Sequence, residues 1–175
     1  MSEADELKEA AERAKESKEL APVSLTMAIL AVMVATCTLL GHRAHTEEIL
    51  LQTRATDQWS YYQSKSIKET SLTSKTEVLE ALGKPIPGSD QEKIAQYQRE
   101  KEQIEKKAEE LEKQAQIHLR THEVLASSVT MFQIAIAVGA ISVLIRSRVF
   151  WLASLAVGLV GIVFFIQSFF QAGIG

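Results

Sequence analysis

Four histidines carry the only spacing in this chain that suits metal or proton chemistry. His42 and His45 stand three apart, and His118 and His122 stand four apart, one helical turn in each case. Glu48 comes three residues after His45 and could add a carboxylate. Imidazole and carboxylate ligands of this kind suit zinc or copper. A layer of imidazoles also changes charge near pH 6. No complete metal-ligand signature is present, however, and no metal or cofactor is expected. No nucleophile is paired with a base at helical spacing, and no glycine-rich phosphate loop comes after a strand. The expectation is that the protein is not an enzyme.

A second group of residues is suited to contact rather than chemistry. The stretch RATDQWSYYQSKSIKE, residues 54–69, sets Trp59, Tyr61 and Tyr62 in a polar run. On a helix Trp59 and Tyr62 share a face, while Asp57 and Tyr61 turn away from it. Trp and Tyr dominate binding hot spots. The expected role is packing against a second helix or a neighbouring copy. A docking patch for another protein is the sharper alternative, and a ligand or glycan cup a third.

The elements that position these residues are marked by where charge is missing. Residues 23–40, 124–145 and 149–170 contain no Asp, Glu, Lys or Arg. About 20 apolar residues of helix cross a hydrocarbon core of roughly 30 Å. Three transmembrane helices are therefore expected, at residues 21–41, 124–145 and 149–170. Pro22 suits the first turn of the first span. The segment before it, residues 1–20, has 4 basic and 7 acidic residues, unlike the basic start of a cleaved leader. An uncleaved signal anchor is expected. Residues 1–20 read as a charged helix or tail, with Ser2 and Asp5 spaced as a capping box.

The remaining charge is balanced. Residues 42–126 hold 13 basic and 15 acidic residues, and the whole chain of 175 residues carries a net charge of −3. No region offers a basic footprint for nucleic acid. The lone Cys37 cannot form an internal disulfide. Apart from Cys37, no expected span contains an ionisable side chain, which speaks against transport by a single subunit. Arg146 and Arg148 in the short link between spans two and three, together with Lys8, Arg13, Lys15 and Lys18, favour a cytoplasmic N-terminus. Residues 42–123 and the C-terminus then lie on the outer side.

Residues 42–123 are rich in Glu, Lys, Gln and Ala, which propagate helix. One break interrupts them, GKPIPGSDQE, with its tip expected at residues 83–89 and Ser89 or Asp90 capping the next helix. Two arms of roughly 55–60 Å each then form an antiparallel, coiled-coil-like hairpin. The second arm carries a seam at three- and four-residue spacing: Ile94, Tyr97, Lys101, Ile104, Ala108, Leu111, Ala115, His118, His122 and Leu125. The first arm offers two weaker registers: Ala44, Leu51, Ala55 and Tyr62, or His45, Ile49, Thr56 and Trp59. So polar a stalk is marginal alone, and several copies are expected to bundle. The contacts expected to hold an oligomer or partner are Trp59, Tyr62, Ile94, Tyr97, Ile104 and Leu111. Small residues add to this: Ser24, Ala28, Ala31, Ala35 and Thr38 on span one, Ala135 and Gly139 on span two, Ser154, Gly158 and Gly161 on span three.

The run LLGHRAHTEEILLQTRATDQWSYYQSKSIKE, residues 39–69, resembles a family of small bacterial membrane proteins described as domain of unknown function 4337. The likeness lies in a span ending at RAHTE, then D-x-W-x-YY-Q-x-KSIK from Asp57 to Lys68, then a proline- and glycine-containing break and two closing spans. It implies a bacterial membrane protein of this architecture and brings no known activity; the location expected is the inner membrane. The fold expected is an all-α membrane protein with three transmembrane helices and a long helical hairpin between the first and second. The function expected is a self-assembling membrane scaffold or accessory subunit. Its partners are the lipid bilayer and further copies of itself, with another membrane protein a further candidate. The alternatives are an oligomeric channel or transporter component, and a metal or pH sensor built on the histidines.

Overall fold

Helix-forming polar residues and long apolar runs leave little for other structure. The computed structural model describes the backbone of residues 3–172 and the side chains of residues 20–171. Three helices account for it: α1 (Glu3–Ala81), α2 (Gly88–Ile145) and α3 (Arg148–Ala172). No strand occurs among the described residues. Each helix contains a stretch long and apolar enough to cross a membrane.

Several boundaries differ from the sequence expectation. α1 is continuous from Glu3, so Pro22 lies inside a helix and not in its first turn. The proline ring forfeits one intrahelical bond there, and the helix continues on both sides of it. The Thr26 hydroxyl adds a bond to the Pro22 carbonyl at 2.7 Å. The expected capping box of Ser2 and Asp5 lies outside the described side chains. The irregular turn covers residues 82–87 and not 83–89, because α2 already begins at Gly88. Asp90 does not cap it from outside. It sits in the first turn, its N–H donating to the Pro87 carbonyl at 3.0 Å, and its buried carboxylate turns to Lys75.

Both long helices are closed by left-handed residues. Gly83 has φ 63°, and the Gly83 and Lys84 N–H groups bond the Glu80 and Leu79 carbonyls, each at 2.9 Å. This satisfies carbonyls that a helix end leaves open. Arg146 plays the same part after α2 with φ 50°, and the Ser147 N–H reaches the Ser142 carbonyl at 3.2 Å.

The chain divides into two compact units, Met1–Ala44 with Arg120–Gly175, and His45–Leu119. In the first unit α1 and α2 run antiparallel. Gly41 lies against His122 and Leu125, Cys37 against Ser128, and Met27 against Gly139. α3 returns beside both, with Leu30 against Gly158 and Ser154 bonded to Ala135. The core holds Leu30, Cys37, Leu125, Phe132 and Ala135. Phe132 is the largest fully buried side chain. Gly161 makes room for it, since a Cβ there would fall 2.7 Å from the ring.

The small residues sort cleanly. Ala135, Gly139, Ser154, Gly158 and Gly161 are all buried where α2 meets α3 and α1. Ser24, Ala28, Ala31, Ala35 and Thr38 all face outward. Two of the buried serines donate to backbone carbonyls of another helix, Ser128 to Gly161 at 2.8 Å and Ser154 to Ala135 at 2.7 Å.

Candidate functional site

The second unit holds the aromatic stretch. Its two arms, residues 45–81 of α1 and 88–119 of α2, pair antiparallel: Trp59 meets Glu112, Lys65 meets Glu100, and Lys75 meets Asp90. Of the two registers legible in the first arm, one is used. Ala44, Leu51 and Ala55 are buried and Tyr62 is half-buried, whereas His45, Ile49 and Thr56 of the other register are exposed and Trp59 alone of it is half-buried. The used register then continues through Gln58, Lys65, Glu69, Leu72, Thr76 and Leu79, all buried or half-buried. On the second arm Ile104, Ala108 and Ala115 are buried, and Ile94, Tyr97, Lys101, Leu111 and His118 are half-buried.

Polar residues thus occupy a seam that apolar counting would not assign to them. Lys65 pairs with Glu100, and Lys101 pairs with Glu69 at 2.8 Å. The aromatic rings organise these ammoniums. The Lys65 ammonium lies 5.3 Å from the Tyr61 and Tyr97 ring centres, and that of Lys101 lies 5.1 Å from Tyr62. Cations in this position are attracted to the ring face. Hydrogen bonding to Glu100 raises the Lys65 pKa, and the same bond lowers that of Glu100. Glu69 is lowered by Lys101 and Gln98, and Lys101 is raised by Glu69.

Trp59 packs edge-on to Tyr62, with ring centres 5.6 Å apart. Its indole N–H donates to the Glu112 carboxylate at 2.7 Å. Of the six residues read as contact positions, the structure brings Tyr62 and Tyr97 into one aromatic–lysine cluster with Lys65 and Lys101. Trp59 borders it, and Ile94, Ile104 and Leu111 line the α2 side of the seam. Sequence reasoning missed Lys65, Glu69, Glu100 and Glu112. Opposite charges at matching distances from the turn were the available signal.

Two of the four histidines, His45 and His122, hold separate partners. His45 Nδ1 lies 3.0 Å from the Glu48 carboxylate, and His122 Nδ1 lies 3.1 Å from the Gly41 carbonyl. Among the described residues no group of three or more His, Cys, Asp or Glu is arranged to hold a metal.

The class of protein is therefore an all-helical chain with three helices fit to cross a membrane and a polar helical hairpin between the first two. The chain belongs to the family described as Domain of unknown function (DUF4337), which matches residues 19–171, nearly all of its length. No curated protein and no solved structure matches it.

Proposed function

We propose that the protein is a membrane scaffold or accessory subunit that assembles with copies of itself and works through helix packing. The observation that carries this reading is the outward stripe on α1: Ser24, Ala28, Ala31, Ala35 and Thr38 are unused inside the chain. In lipid, small residues at helical spacing let another helix approach closely. The large side chains around the same bundle, such as Leu25, Val32, Leu144 and Phe170, also face out and suit a hydrocarbon surrounding. The three helices cross the bacterial inner membrane with the N-terminus cytoplasmic and the hairpin on the outer side.

Native mass spectrometry of the protein, extracted gently from its own membranes, tests the assembly. A closed homo-oligomer is expected. A mass that requires a second polypeptide makes the chain an accessory subunit, and a monomer overturns the reading. Orientation is tested by Ser71→Cys labelling in intact cells. Ser71 is exposed and Cys37 is fully buried, so the signal belongs to position 71. Labelling only after lysis would reverse the topology.

A further inference from the structure

The two long edges of the hairpin carry opposite charge. One edge bears Arg54, Lys68 and Lys75 from α1, with Lys93 and Lys107 from α2. Lys68, Lys75 and Lys93 border a groove of about 410 Å³ whose floor includes Ile67, Leu72 and Tyr97. Four carboxylates also stand on this edge, Glu47, Asp57, Glu100 and Glu110, and Glu100 is taken by Lys65. Lys68, Lys93 and Lys107 form no ion pair among the described residues.

The opposite edge is the side on which Trp59 meets Glu112. Glu105 lies about two helical turns before Glu112, and Glu102 and Glu109 form the adjoining stripe. Glu77 on α1 lies about five helical turns beyond Trp59 and so on its face, and Glu80 stands about one turn further on. No Lys or Arg shares these stripes. The next stripe round α2 carries Arg99, Lys106 and Lys113, of which Lys106 binds Glu102 at 2.7 Å. Glu77, Glu105 and Glu109 form no ion pair among the described residues.

The levels of the two edges correspond. Lys75 and Lys93 stand opposite one another near the turn, because one lies shortly before Ala81 and the other shortly after Gly88. Glu77 occupies nearly the same level on the other edge. Further from the turn, Lys107 falls between Glu105 and Glu109 along α2. Copies in one membrane share one orientation. Two of them side by side would set the Lys75 and Lys93 level against Glu77, and Lys107 against Glu105 and Glu109.

We infer that the basic edge of the hairpin, with its Ile67–Leu72–Tyr97 groove, receives the acidic edge of a second copy of this chain. This rests on the self-assembly reading and specifies its interface. A contact between two different edges is heterologous, and repeated around an axis it closes a ring. Complementary charge fixes the register of such a contact more than its strength.

Two full-length triple variants test it. Glu77→Lys/Glu105→Lys/Glu109→Lys sets three lysines on the acidic edge, and Lys68→Glu/Lys93→Glu/Lys107→Glu sets three glutamates on the basic edge. Neither replaces a member of the Lys65–Glu100, Lys101–Glu69, Lys75–Asp90, Lys106–Glu102 or Trp59–Glu112 pairs. Each variant alone is expected to lose oligomer by roughly ten-fold or more, because like charges set against each other at an interface oppose association. Co-expressed with different tags, they are expected to recover an oligomer that alternates the two. That recovery excludes misfolding as the cause of the individual losses. Wild-type assembly by either variant alone, or no co-assembly, overturns the edge-to-edge contact while leaving self-assembly standing. A monomeric wild-type protein overturns both.

Discussion

Phe132 on α2 lies against Gly161 on α3 so closely that one added methyl at position 161 would fall 2.7 Å from two ring carbons. The ring has no exposed surface. Gly161→Ala is expected to destabilise the first unit by about 1–3 kcal/mol, the usual cost of overpacking. Phe132→Ala is expected to cost about 3–5 kcal/mol through the cavity it leaves. Thermal unfolding in a fixed detergent reads both. Gly161→Ala combined with Phe132→Leu should recover part of the loss, and strict additivity would show that the contact is not the cause.

Ser128 and Ser154 are buried and bridge helices through hydrogen bonds from side chain to backbone. Replacing either with Ala should cost about 0.6 kcal/mol and up to about 1.7 kcal/mol, the range measured for such bonds between membrane helices. Ser127→Ala is the control, because its hydroxyl bonds only within its own helix, to the Glu123 carbonyl. It should change the unfolding temperature less than either bridging serine.

The ion pairs of the hairpin make its stability depend on pH at both extremes. Glu69 and Glu100 have lowered pKa values in the folded hairpin, held down by Lys101 and Lys65. Their contribution is complete above the ordinary glutamate value of about 4.3. It is lost as pH falls through the lower folded values. Lys65 and Lys101 are raised by the same partners. Their contribution is complete below the ordinary lysine value of about 10.4 and lost as pH rises through the higher folded values. Spin labels on the two arms should report constant separation from roughly pH 6 to roughly pH 9, well inside both limits. Separation should grow in acid, less in Glu69→Gln, which has already lost one titrating partner. A separation that widens near neutrality would show that these ion pairs do not set the pH limits of the hairpin.

The turn between the arms depends on Gly83, whose φ of 63° is left-handed. A side chain there meets no neighbouring atom within 4 Å, so any penalty comes from the backbone alone. Gly83→Ala is expected to cost about 1–2 kcal/mol. Gly88→Ala, equally uncrowded and without positive φ, should be neutral or stabilising. Chemical denaturation of the two variants side by side separates the explanations.

The course of α2 was legible because its seam is mostly apolar: Ile94, Tyr97, Ile104, Ala108, Leu111, Ala115 and Leu125 recur at helical spacing, and all are buried or half-buried. Three charge-free runs likewise sufficed to mark three helices fit to cross a membrane, since polar backbone has few other ways to satisfy itself in lipid. The first arm was different. Its sequence allowed two registers, and only the folded hairpin chose between them. The chosen one contains Gln58, Lys65, Glu69 and Thr76, and a count of apolar residues passes over all four. Lys65 and Glu69 enter the seam because Glu100 and Lys101 meet them from the other arm. Withdrawing a charge from water is unfavourable until its partner is in place. Nothing local to residues 58–76 encodes that partner, which lies far along the chain and arrives only when the turn at Gly83 closes. The small residues divide in the same way. Their spacing was visible on all three helices, but which stripes are spent inside the chain and which one, on α1, is left outward was decided by how α2 and α3 fill the space beside Phe132.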